Sequence, residues 1–202
     1  MYKNKQQMNI HFAANKGQLI MMRVITGSAR GRRLETLPGD DVTRPTSESV
    51  KEALFSMLQF EIEDTTVLDL FAGSGQLGIE ALSRGARFCT FVENNKNAKT
   101  VVEKNISHCG FENNSQVVLS DAISFLSRKG AYDIAFLDPP YYKGLILKAM
   151  PLITDKIKDG GIVVCETARD EQLPEEFSEF TLFRSRVYGK IKLTLYRKVA
   201  RE

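Results

Sequence analysis

Residues 66–82 read "TVLDLFAGSGQLGIEAL", and the fold turns on how they divide. The first five are apolar except for Asp69 and suit a short buried strand. The last seven, Gln76 to Leu82, suit the opening of a helix. Between them Gly73, Gly75 and Gly78 fit G-x-G-x-x-G, the fingerprint of a nucleotide-type loop. Glycine belongs there because the backbone must turn sharply and come within contact distance of a ligand. Alone the spacing is a weak signal. Its place after a strand and before a helix is what carries the reading.

Working outward, the pattern repeats. "RFCTFVE", "QVVLSD", "YDIAFLD" and "GGIVVCE" follow "TVLDL" as apolar runs separated by helical segments. Strands alternating with helices imply a parallel sheet with helices on both faces. The tail "FTLFRSRVYGKIKLTLYRK" reads as two strands around Tyr188-Gly189, a hairpin that closes the sheet antiparallel. The expectation is an α/β fold with a mostly parallel seven-stranded sheet. Upstream, "MRVITGSARGRRLETL" offers two short β-prone runs, Met22–Gly27 and Arg32–Leu37, a small basic hairpin. "LPGDDVTRPT" is a loop. Ser47 is placed to cap a helix over 47–60, where Val50, Ala53, Leu54, Met57 and Leu58 recur at helical spacing. Residues 1–21 are polar and aperiodic, a disordered extension or the product of a start site upstream of Met22. The chain thus divides into 1–21, a hairpin and helix over 22–60, and a ligand-binding domain over 61–202.

With 43% hydrophobic residues the chain can bury a sizeable core. It has no apolar run of the length that spans a membrane, and its first residues lack the apolar region of a secretory signal. Cys89, Cys109 and Cys165 follow no metal spacing and read as buried thiols of a reducing cytoplasm. Two histidines, His11 and His108, without neighbouring ligands argue against a metal. The net charge of +3 is unevenly spread. Residues 16–34 and 184–201 hold five and seven basic residues and no acid, while the rest carries 16 basic against 25 acidic residues. Two basic segments on an acidic body mark a polyanion footprint.

Each of the first four strands ends in an acid: Asp69, Glu93, Asp121 and Asp138. A single strand-end acid is usually a helix cap. Four in succession point to one ligand crossing the sheet edge, where open α/β sheets bind ligands. Glu93 is placed to accept bonds from ribose hydroxyls. Asp69 discriminates between nucleotides, because a pyrophosphate at this loop would be repelled by its carboxylate. S-adenosylmethionine carries an ammonium and a sulfonium there and no phosphate. Asp121, followed by Ala122, is placed to meet the adenine amine. The acids therefore favour S-adenosylmethionine over NAD.

The fourth acid opens "DPPYY", residues 138–142. An exocyclic base amine is a poor nucleophile because its lone pair is delocalised into the ring. The Asp138 carboxylate and the Pro139 carbonyl can accept its two N–H bonds and free that lone pair for attack. Prolines 139 and 140 fix φ and hold the carbonyl rigidly. Tyr141 offers a face on which an extruded base can stack.

"MRVITGSARGRRL", "TRPTSESVKEALFSML", "VLDLFAGSGQLGIEALSRGA", "FVENN" and "FLDPPY" together resemble the RsmD family, Rossmann-like class I methyltransferases of bacteria that modify a guanine N2 in 16S ribosomal RNA. The likeness spans residues 22 to about 198; residues 1–21 have no counterpart. It implies S-adenosylmethionine as donor, held by Asp69, Phe71, Ala72, Gly73, Ser74, Gly75, Glu93, Asn94, Asp121 and Ala122. It implies catalysis by Asp138, Pro139, Pro140 and Tyr141, no metal, and a small-subunit or assembly-intermediate substrate met by a monomer. Arg30, Arg32, Arg33, Arg44, Thr46, Arg186 and Lys190 are the candidate RNA contacts, with Arg44, Pro45 and Thr46 in a loop near donor and target. A DNA adenine-N6 methyltransferase would share residues 138–141 but would carry a larger recognition domain. An NAD-dependent oxidoreductase and a non-catalytic RNA-binding assembly factor are the remaining alternatives. Asp69 and the lack of a well-placed His argue against the first, the intact site residues against the second.

Overall fold

Val67 and Leu68 have no solvent exposure, which is why β1 (Thr66–Asp69) forms the centre of the sheet. It is flanked by β2 (Phe88–Glu93) on one side and β4 (Tyr132–Leu137) on the other, both parallel to it. The computed structural model describes residues 22–36 and 48–199. Within them a single sheet runs in the order β3-β2-β1-β4-β5-β8-β7-β6. β3 (Ser115–Leu119) and β5 (Ile157–Ala168) complete the parallel part. β7 (Phe180–Tyr188) and β8 (Ile191–Lys198) close it antiparallel, joined at Gly189 with φ 59°. The α/β class, the parallel sheet and the closing hairpin are as the sequence predicts.

The strand count differs. An eighth strand, β6 (Glu176–Phe177), pairs with Phe180 and Thr181 across a turn containing Ser178 at φ 51°. Two residues are too few to show a period of two, so nothing in the sequence marks them.

The helices α1 (Glu48–Met57), α2 (Gln76–Ser83) and α3 (Lys96–Cys109) lie on one face of the sheet. On the other face are α4 (Ala122–Phe125) and α5 (Leu145–Ile153). The first core includes Leu54 and Phe55 of α1, Ile79 of α2, Val102 of α3 and Phe136 of β4. The second includes Ala135, Leu137, Ala149 and Tyr196. Gly78 lets α2 approach β2. A Cβ there would lie 2.3 Å from Phe91 Cε1 and 2.7 Å from Cys89 Sγ, a clash no real side chain tolerates. Cys89, Cys109 and Cys165 are all buried free thiols.

The expected basic hairpin is present in minimal form and is docked on α2. Arg23 and Arg33 form one antiparallel bridge, flanked by the Val24 N–H donating to the Arg32 carbonyl at 2.9 Å and the Leu34 N–H donating to the Met22 carbonyl at 2.8 Å. Toward the tip, the N–H groups of Ile25 and Thr26 donate to the Glu80 carboxylate at 2.8 and 3.0 Å. Those of Ser28 and Ala29 donate to the Ser83 carbonyl and hydroxyl at 2.8 and 3.0 Å. Gly27, at φ 90°, makes this approach possible, since a Cβ would lie 1.7 Å from the Ser83 oxygen. Glu80 is fully buried and also meets Lys51 at 3.5 Å and Arg84 at 2.8 Å. The pairing extends no further than this bridge because the donors nearer the tip go to the buried carboxylate and the helix end. Val24, Ala29 and Leu34 join the same core as α1 and α2. No helix among the described residues is long and apolar enough to cross a membrane.

Candidate active site

The strand order reverses between β1 and β4, and open α/β sheets bind ligands in the crevice outside the strand ends at that point. A cavity of about 380 Å³ lies there. Its wall includes Asp69 at the end of β1 and Asp138 just beyond β4, on neighbouring strands, with Asp138 two residues past Phe136, the register partner of Asp69. Glu93 and Asn94 beyond β2 and Asp121 and Ala122 beyond β3 line it too. All four strand-end acids therefore face one cavity.

The glycine loop forms the floor through Phe71, Ala72, Gly73 and Ser74. Gly73 and Gly75 sit at φ 55° and 81°, the left-handed region where glycine carries no steric cost. Gly75 does not reach the cavity; it starts α2 with its side toward Val102. Glu93 holds the loop in shape. Its Oε2 accepts from the Gly73 N–H at 2.9 Å and its Oε1 from Asn95 at 2.8 Å. Each carboxylate oxygen has a second lone pair, so both remain able to accept a ribose hydroxyl. Asn95 is the N-cap of α3, accepting from Asn97 and Ala98, which explains the "FVENN" ending on capping grounds.

Asp69 is buried and accepts from the Gly78 N–H at 3.0 Å. Burial, with a smaller push from the Glu93 charge, raises its carboxyl to about 7 against the opposing Gly78 bond. The site thus holds a carboxyl poised to ionise beside an incoming cation. Asp121 is exposed and caps α4 through a bond from the Ser124 N–H at 2.9 Å. The usual reading of a strand-end acid as a cap holds for it, alongside its place in the cavity wall.

Asp138 is half-buried and Pro139 buried. Pro140 and Leu145 separate the main cavity from a second one of about 70 Å³. Pro139, Tyr141 and the buried Glu166 line that smaller space. The Tyr141 hydroxyl donates to Glu166 Oε1 at 2.8 Å, which fixes the plane of its ring. Met22, Gln76, Leu77 and Ile123 complete the main cavity without having been expected. Met22 has no sequence signal: its Sδ accepts from the Ser74 hydroxyl at 3.6 Å only because the N-terminal segment docks there. Glu166 at the end of β5 continued the strand-end series and was legible in "GGIVVCE".

The basic candidates separate into two groups. Arg186 and Lys190 are exposed beside the β7–β8 turn, which pairs with the end of β5 at Ala168 and so lies on the cavity's edge of the sheet. Arg30, Arg32 and Arg33 are also exposed; the tip of their hairpin docks at Ser83, the end of α2 farthest from the glycine loop, while Arg33 lies at its open end beside Met22 of the cavity wall. The Arg32 guanidinium donates to the His108 carbonyl at the end of α3. Arg44, Pro45 and Thr46 lie outside the described residues, as do residues 1–21. No group of three or more His, Cys, Asp and Glu side chains among the described residues is arranged to hold a metal.

The reversal-point cavity, the glycine loop and the acid-terminated strands define a Rossmann-like methyltransferase. Residues 22–197 match the family model described as Conserved hypothetical protein 95, and the chain belongs to that family, the RsmD family. The chain is 37% identical over 182 residues to ribosomal RNA small subunit methyltransferase D of Escherichia coli K12, covering 89% of this chain and 91% of the relative. It is 39% identical over 184 residues to YlbH of Bacillus subtilis, assigned as an rRNA methyltransferase, covering 88% and 99%. The solved structure of the Escherichia coli protein yhhF, assigned as a methyltransferase, superposes with a TM-score of 0.78 at 36% identity, covering 90% and 99%.

Proposed function

We propose that this protein transfers a methyl group from S-adenosylmethionine to the exocyclic N2 amine of a guanine in small-subunit ribosomal RNA. The observation that carries the reading is the convergence of Asp69, Glu93, Asp121 and Asp138 on one cavity beside the 138–142 turn. The names of the relatives supply the RNA class. The donor brings a methyl on a positively charged sulfur. Asp69 attracts its cationic end, Glu93 accepts from ribose, and Asp121 with Ala122 faces adenine. Asn94 and residues 71–74 of the loop enclose it, and Gly75 turns the loop into α2. Asp138 and the Pro139 carbonyl take the two N–H bonds of the target amine, and the freed nitrogen lone pair forms the new N–C bond as the C–S bond breaks, leaving S-adenosylhomocysteine, while one N–H proton of the methylated nitrogen passes to the Asp138 carboxylate. Pro140 keeps the turn rigid, and Tyr141, its hydroxyl held by Glu166, stacks the base. Arg186 and Lys190 contact phosphates on the near edge, Arg30 and Arg32 toward the far edge, Arg33 between them beside Met22, and Arg44 and Thr46 near the target. Residues 61–202 bind donor and amine, with 22–60 as an accessory element, in a cytoplasmic monomer that needs no metal.

The test is labelled methyl transfer to small ribosomal subunits from cells lacking the gene, followed by mapping of the modified base. A methyl on guanine N2 is expected; transfer to adenine N6 of DNA instead would overturn the reading. In the same assay Asp138→Ala should lower turnover by roughly 100-fold or more, with the S-adenosylhomocysteine Kd within a few-fold of wild type. Equal losses in both would move Asp138 to the donor.

A further inference from the structure

Tyr142, the last residue of "DPPYY", is left without a role by the chemistry above. It is 67% exposed, so its ring gains little from burial. Its φ is 59°, a region that bulky residues rarely occupy and that glycine enters freely. Two hydrogen bonds hold it there. The main-chain N–H donates to Glu171 Oε1 at 3.0 Å, and the hydroxyl donates to Asp170 Oδ1 at 2.8 Å. The second Glu171 oxygen accepts from the Ala168 N–H at 3.1 Å, which ties the clamp to the end of β5. A strained, solvent-facing aromatic ring fixed at both ends has no evident value to the fold.

Its geometry points outward to RNA. The Tyr141 and Tyr142 rings lie 6.4 Å apart at 84°, so two bases resting on them could not form one continuous stack. That is the arrangement around a nucleotide turned out of its strand, where the target and its neighbour diverge. Exposed Lys143 and Arg169 flank the ring and its clamp, and the Arg169 N–H bonds the Lys190 carbonyl, which places Lys190 on the same edge. The Asp170 and Glu171 carboxylates would repel a phosphate at the ring itself, so a base belongs on Tyr142 and phosphates on the cations around it.

We propose that Tyr142 is a second stacking platform, taking the unpaired nucleobase next to the target nucleotide. The inference rests on the RNA methyltransferase reading above.

Three variants test it in methyl transfer to unmethylated small ribosomal subunits. Tyr142→Ala and Tyr142→Gly should raise KM for the particles roughly 5- to 100-fold, the value of one lost base–aromatic stack. Their S-adenosylhomocysteine Kd should stay at the wild-type value. Tyr142→Gly also relieves the backbone, so its Tm should equal or exceed wild type while binding is lost, which a merely structural role would not produce. Tyr142→Phe keeps the ring face and should stay within about threefold of wild type. An unchanged KM in the Ala and Gly variants overturns the inference, as does a Phe variant as impaired as Ala. Wild-type protein that transfers no methyl to the particles overturns the parent reading and this inference together; wild-type transfer with an indifferent Tyr142→Ala removes this inference alone.

Discussion

Burial of Asp69 sets two demands against each other in one carboxyl group. In the proposed reading donor binding wants the charge; the buried position, with Glu93 near, resists it and lifts the carboxyl to about 7. The folded group thus titrates above its unfolded value. Its contribution to stability is complete at pH below 3.8 and is lost as pH rises toward and through about 7. At pH 8 the ionised group costs the fold up to about 4 kcal/mol. Asp69→Asn removes the charge. It should raise the urea midpoint of the ligand-free protein at pH 8 and change it much less at pH 4. The same variant should weaken S-adenosylhomocysteine binding in calorimetry at pH 8 and much less at pH 4, where the wild-type carboxyl is itself neutral. A variant less stable than wild type at pH 8 would show that the Gly78 bond, not the burial of charge, dominates at this site.

At the scale of elements, the glycine motif does two separate jobs. Gly73 and Gly75 shape the loop by their left-handed backbones, whereas Gly78 sets how closely α2 lies on β2. A methyl at Gly78 would press on the Phe91 ring and the Cys89 sulfur, both fully buried. Gly78→Ala should therefore destabilise by about 1–3 kcal/mol, the usual cost of overpacking a core. The loss should appear as a lower urea midpoint with an unchanged m-value. Helix propensity alone predicts the reverse, since Ala favours a helix over Gly by about 1 kcal/mol. The sign of the measured change decides which effect wins.

Across the whole molecule, the two basic segments are spread along the sheet. Arg186 and Lys190 share the cavity's edge, and the N-terminal hairpin runs from Arg33 beside Met22 of the cavity wall to its tip near Arg30 at the far end of α2. An RNA that touches both segments must run over one flank of the protein, as a folded particle surface can. Neutralising Arg30, Arg32 and Arg33 together should weaken binding of small ribosomal subunits at physiological salt. The log K against log[salt] plot should flatten by roughly 2 to 3 in slope, about one per lost phosphate contact. Donor Kd should not move. An unchanged slope in the folded variant would make these arginines a solvated surface only.

The periodic parts of this fold were legible in the sequence. β1, β2 and β4 are short apolar runs ended or followed by an acid, the later half of β5 is a similar run up to Glu166, the helices between them show their spacing, and the Tyr188-Gly189 turn marks the closing hairpin. Local chemistry sufficed there because burial on both faces demands continuous apolar strands. The four cavity acids were legible for the same reason, since strand ends in a parallel sheet must meet at one edge. Tertiary structure alone decided the rest. β6 is too short to carry a pattern. The N-terminal runs do close as a hairpin, but it stops at one bridge because Glu80 and Ser83, more than 50 residues downstream, capture the backbone donors of its tip. Met22 reached the cavity by that docking, and Tyr142 became a fixed outward ring only because Asp170 and Glu171 came to lie beside it. A hydrogen bond between distant residues leaves no period in the chain; it exists only once the fold has brought its partners together.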